Sequence, residues 1–136
     1  MAFLETLTDR VVMEGVGRVK VTLAEAVRAG DPLGISDGTW VLSAHASAEQ
    51  PILIAGEKGI VGQEIDGWIM AVIKVINTST NVATVGEKVA LSDGGLYQAA
   101  GTGLPDVGFA ASIGSDNLSA ILFLNPTAPQ LTVVRT

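Results

Sequence analysis

A chain of 136 residues and 13.9 kDa fits one domain and is long enough to bury a core of its own. It has no cysteine, which excludes disulfides, thiolate metal sites and cysteine nucleophiles, and its one histidine, His45, excludes any site built on two imidazoles. A net charge of −6 is the wrong sign for sequence-independent binding to phosphate backbones, and 48% hydrophobic against 16% charged residues leaves a surface short of charge.

Residues 1–17 have no obvious place in the hairpin pattern that follows and read as an N-terminal arm, with Phe3, Leu4 and Leu7 to anchor it. Leu4, Leu7 and Val11 share one helical face, yet Thr6, Thr8 and the lack of a cap leave helix and extended chain equally open. Glu5 and Asp9 precede the first basic residue and no long apolar stretch follows, unlike a signal peptide. The longest uninterrupted apolar run, Trp68–Ile73, is far short of the roughly 20 residues of a membrane helix.

From residue 18 to 136 the chain reads as one β domain. Arg18, Lys20 and Thr22 alternate with Val19, Val21 and Leu23, the period-2 pattern of a half-buried strand. Thr22-Leu-Ala-Glu25 then has the form of a capping box and Gly30 that of a helix stop, which predicts one short helix. Next come three hairpins. Leu33–Ser36 turns at Asp37-Gly38 into Thr39–Leu42, and Val89–Ser92 turns at Asp93-Gly94 into Gly95–Tyr97. The third runs from Val107–Ile113 through Ser115-Asp116-Asn117 into Leu118–Leu124. Asp-Gly accepts the positive φ angles of a type I′ turn, whose twist suits antiparallel strands. Further strands are expected at Ile52–Ala55, Trp68–Ile76, Val82–Val85 and Leu131–Val134. Aligning residues 29–44 with 85–100 matches Gly30 to Gly86, Ser36-Asp37-Gly38 to Ser92-Asp93-Gly94 and Ala44 to Ala100, with Asp31 opposite Glu87. Reuse of common turn residues explains this as well as a duplication does.

Charge is unevenly spread. Residues 67–136 hold four acids and three bases, and none of the bases lies between Val89 and Leu124. A stretch of that length in so small a domain has an outer face, so it is either merely uncharged or covered by another protein. Trp68–Ile76 is apolar on both faces except at Lys74, so it is covered on both sides, either by two layers of its own domain or by a neighbouring subunit, and Trp68, Met70 and Val72 are the candidates for a trimer interface.

Chemistry finds little footing. His45 sits in the small-residue loop Ser43-Ala-His-Ala-Ser47, Gly56-Glu-Lys-Gly59 lacks the spacing of a phosphate loop, and no run has recognised metal-ligand spacing. Asp37, Asp93 and Asp116 each occupy a turn that prefers Asp for local reasons. The expectation is a protein that is not an enzyme and needs no cofactor or metal.

Ala29-Gly-Asp-Pro-Leu33, Ser36-Asp-Gly-x-Trp40, Val85-Gly-Glu-Lys-Val-Ala-Leu91, Gly94-Gly-Leu-Tyr97, Val107-Gly-Phe-Ala110 and Ala120-Ile-Leu-Phe-Leu124 together resemble the phage capsid-decoration, or capsid cement, proteins of the lambda head-decoration type. The resemblance spans roughly residues 18–125; Leu33 stands where the family has valine, and the Ala44–Gln50 loop has no counterpart. It implies a small β-barrel or sandwich of the β-tulip type. It implies too a homotrimer on the outer surface of a virion, bound to the major capsid protein and stabilising the shell, with an arm whose Phe3, Leu4, Leu7 and Arg10 contact the capsid or a neighbouring trimer, and with no nucleic-acid or membrane partner. The alternative is a soluble β-barrel module that binds a small molecule or glycan through the Ala44–Gln50 and Gly56–Gln63 loops.

Overall fold

The computed structural model describes residues 10–43, 51–76, 85–91, 96–99, 106–113 and 119–126. The described chain is all-β, a curled antiparallel sheet shaped as half a barrel. Its strands are β1 (Arg10–Thr22), β2 (Pro32–Ser36), β3 (Thr39–Leu42), β4 (Leu53–Ala55), β5 (Glu64–Ile76), β6 (Lys88–Leu91), β7 (Tyr97–Ala99), β8 (Asp106–Ile113) and β9 (Ser119–Leu124). They lie in the order β3-β2-β4-β5-β9-β8-β6-β7, with β1 paired to β5 alongside this path.

β5 organises the sheet. One edge carries β1 from Arg10↔Val75 to Thr22↔Glu64; the other is divided between β4 at Ala55↔Gly67 and Ile54↔Trp68, and β9 from Ala71↔Leu124 to Ile76↔Ser119. A 13-residue strand is long enough to serve two groups of short strands in this way.

Those two groups repeat one topology. In each, the first strand pairs with the second and the third (β2 with β3 and β4; β6 with β7 and β8), and the third pairs with a fourth. The backbone repeats at finer scale too. Gly30 N–H donates to the Ala55 carbonyl and Ala55 N–H to that of Asp31; Gly86 N–H donates to the Ala110 carbonyl and Ala110 N–H to that of Glu87. Gly30 and Gly86 both have φ of +87°, where an L side chain is strained. The Gly30/Gly86 and Asp31/Glu87 matches in the sequence therefore fall on equivalent backbone positions.

Each group owns a core. Val21, Leu23, Val27, Leu33, Leu53, Ala55 and Ile65 form one cluster, whereas Ile73, Val75, Val89, Leu91, Tyr97, Leu122 and Leu124 belong to the other. β4 runs between them, with Leu53 and Ala55 in the first and Ile54 in the second, so alternation buries all three residues.

Local expectations meet the structure unevenly. Asp37 and Gly38 have φ of 50° and 76°, so the β2–β3 hairpin has the positive-φ turn that Asp-Gly favours. β6 pairs with β7 and β8 with β9 as the other two hairpins require; their turns lie outside the described residues. The short helix expected after Thr22 is absent. Leu23 N–H donates to Gln63, Ala24 N–H to Trp40 and Val27 N–H to Gly59, so the amides a helix would use are taken by distant carbonyls. The Glu25 carboxylate accepts from Leu42 N–H at 3.1 Å instead of closing a capping box. The arm is corrected as well: residues 10–17 are the first part of β1, while the rest of the arm, including Phe3, Leu4 and Leu7, lies outside the described residues, as do 82–84 and Leu131–Val134.

Candidate interaction surface

Arg10, expected to reach a neighbour, points inward. Its guanidinium pairs with the Asp31 carboxylate and stacks 4.6 Å from the centroid of the Tyr97 ring, and its side chain has no exposed surface. The Tyr97 hydroxyl donates to the Gly30 carbonyl at 2.7 Å, and Asp31 also accepts from Arg28 N–H at 2.8 Å. A Cβ on Gly30 would sit 3.0 Å from Arg10 Cδ, so glycine there leaves room for the arginine as well as permitting the turn. This node links the start of β1 to both groups of strands. The sequence signals this node only through Gly30-Asp31; nothing local says that the partner of Asp31 lies 21 residues upstream.

Burial pushes the Asp31 carboxyl above its ordinary value of 3.8, and the Arg10 charge only partly opposes this. Because the folded state then holds the proton more tightly, this group's contribution to stability is fully present below 3.8 and is lost as pH rises through the folded pKa. The Asp31 side-chain carboxyl carbon is expected to titrate with a midpoint above 3.8 by NMR; a midpoint below it would mean that pairing outweighs desolvation.

Trp68, Met70 and Val72 alternate along the outer side of β5. Trp68 is half-buried, its indole packed over Gly15 and Gly56, where any Cβ would collide with the ring. Met70, 46% exposed, and the half-buried Val72 open onto a shallow concavity of about 400 Å³ shared with Val16, Phe109 and Phe123. Phe109 and Phe123 meet edge to face at 5.3 Å between centroids and stay 44% and 43% exposed. Sequence reading missed both phenylalanines because a strand of unknown register does not say which parity faces out. Asn125 also lines the concavity, and its buried Oδ1 accepts no hydrogen bond from the described residues.

Register aligns these side chains in one row. Glu14 opposes Val72, Val72 opposes Phe123, Phe123 opposes Phe109, and Phe109 opposes Lys88. Directly opposed residues share a face, so an apolar band crosses β5, β9 and β8 between an acid on β1 and a base on β6.

A second concavity, about 710 Å³, has Val27, Leu42 and Ile60 as apolar lining and Arg28, Lys58, Gln63 and the acid Asp31 as polar groups. It engages the Gly56–Gln63 loop but not Trp40, which packs on the first core cluster, and His45 lies outside the described residues. Among the described residues no three His, Cys, Asp or Glu side chains gather as a metal site would require. No family model matches the chain, and no curated protein matches it.

Proposed function

We propose that this protein is a capsid decoration protein that binds the outer surface of a viral shell as a homotrimer and stabilises it, with a β-tulip-type domain as the binding body. The observation that carries the reading is apolar exposure on separate elements of a domain that already buries two apolar clusters among its described residues. The sheet row is one such place; Ile60 and Val61, 69% and 66% exposed, form a second at a turn, and Val85 is a third. A monomer has no use for several such surfaces, whereas a subunit that touches both a shell and its own copies does. Contacts repeated by lattice symmetry turn modest affinities into avidity. The resemblance of residues 18–125 to cement proteins agrees with this reading.

The experiment is co-sedimentation with expanded capsids lacking their own decoration protein, beside a solution mass. Saturable occupancy and a rise in the temperature at which the shell opens are expected; no occupancy on any such shell overturns the reading. A variant lacking residues 1–9, which spares Arg10 and its node, is expected to bind with lower occupancy.

The second reading, a module for a small molecule or glycan, is favoured by the Arg28–Lys58 concavity. A monomeric protein whose Arg28 and Lys58 signals shift on adding an anionic sugar would support it.

A further inference from the structure

We infer that the outer sheet face joins two copies of this chain about a two-fold axis that runs along β9 in the plane of contact. Strands in a sheet are about 4.8 Å apart, so the row from Glu14 to Lys88 spans about 19 Å, with Phe123 at its midpoint and each charge two strands away. An axis along β9 exchanges the two ends. It lays Glu14 over the second copy's Lys88, Val72 over its Phe109, and Phe123 over itself. In the next row Val11 opposes Lys74, Lys74 opposes Ile121 and Ile121 opposes Ser112, so the same axis puts Lys74 over a serine.

The alternative two-fold, perpendicular to the strands, would stack Glu14 on Glu14 and Lys88 on Lys88, and like charges at that distance oppose association. Charge complementarity therefore selects both the occupant and its orientation: one apolar band, acid at one end and base at the other, is complementary to its own copy turned over. The exposed Phe109–Phe123 pair supplies the aromatic centre that such contacts favour. An isologous contact of this kind closes on itself.

The inference goes beyond the shell reading and stands without it: single chains would pair, and two trimers would close into a six-chain particle when the two-fold axes cross the three-fold. Particle mass by sedimentation equilibrium is therefore read as a ratio. Wild type is expected to have twice the mass of Phe123→Glu, whose fold is checked by circular dichroism. Glu14→Lys and Lys88→Glu, each alone, are expected to show the halved mass, and mixing them in equal amounts is expected to restore the doubled one. Restoration follows because a mixed pair has lysine opposite glutamate at both ends.

Equal masses for wild type and folded Phe123→Glu, unchanged mass in either charge variant, or no recovery on mixing would each overturn the contact. Shell occupancy is measured separately, so the two readings fail independently.

Discussion

Replacing Arg10 by Met is expected to destabilise the fold by about 3–5 kcal/mol, because a carboxylate is left buried without its partner. Asp31→Leu is expected to cost a similar amount, since the guanidinium then lies without a counter-charge under Tyr97. In a domain of this size that is a fall of roughly 10–20 °C in melting temperature. The double variant Arg10→Met/Asp31→Leu is expected to lose much less than the sum of the two. Removing both charges removes the desolvation that already holds the Asp31 carboxyl above its ordinary range. The Arg10→Met deficit should also shrink as pH falls, because protonating Asp31 removes the orphaned charge. Thermal melts at neutral and acidic pH check both points; a strictly additive double variant would mean that the two side chains do not act as a unit.

The second large effect is expected at Gly108→Ala. A Cβ at this position would fall on the backbone carbonyl oxygen of Phe123 in the neighbouring strand, and backbone, unlike a side-chain tip, has no rotamer to retreat into. Gly108 pairs with Leu124 and with Val89, at the irregularity where β6 meets β8, so β8 has neighbours on both edges. We expect a loss of about 3 kcal/mol, the upper range for forcing one extra methyl into a packed region. Gly67→Ala is the comparison. There the Cβ would meet the terminal Cδ1 of Leu53 at 3.0 Å, which can rotate, and the loss should be clearly smaller. Chemical denaturation of both variants decides between them, and equal losses would show that the Gly108 strand shifts freely.

These two sites show why some of the molecule was legible in the residues and some was not. The Asp37-Gly38 hairpin was readable because a positive-φ turn is a property of the two residues that make it. The alternation at Arg18–Leu23 marked a real strand, but its start at Arg10 was missed, since Gly15, Val16 and Gly17 interrupt the pattern. The capping box at Thr22–Glu25 was locally sound and still failed. A one-turn helix gains little by itself, and the loop at 59–63 offered Leu23 and Val27 backbone partners that a helix would have forgone. A lone arginine beside apolar residues carries no mark of the acid it will meet, so the sequence points Arg10 to a neighbour while the fold buries it against Asp31.

The β character of the domain, the turn of its first hairpin and the recurrence of a strand-turn-strand unit are all written in the residues, because turn chemistry and period-2 burial act over a few positions. So is the scarcity of charge in the second half. Which parity of β5, β8 and β9 faces outward, the meeting of Arg10 and Asp31 inside, and the placing of Glu14 and Lys88 at the ends of one row emerge from the assembled sheet alone. Each of these depends on strand register, set by pairing across the whole sheet, and a slip of one residue would exchange the buried face for the exposed one.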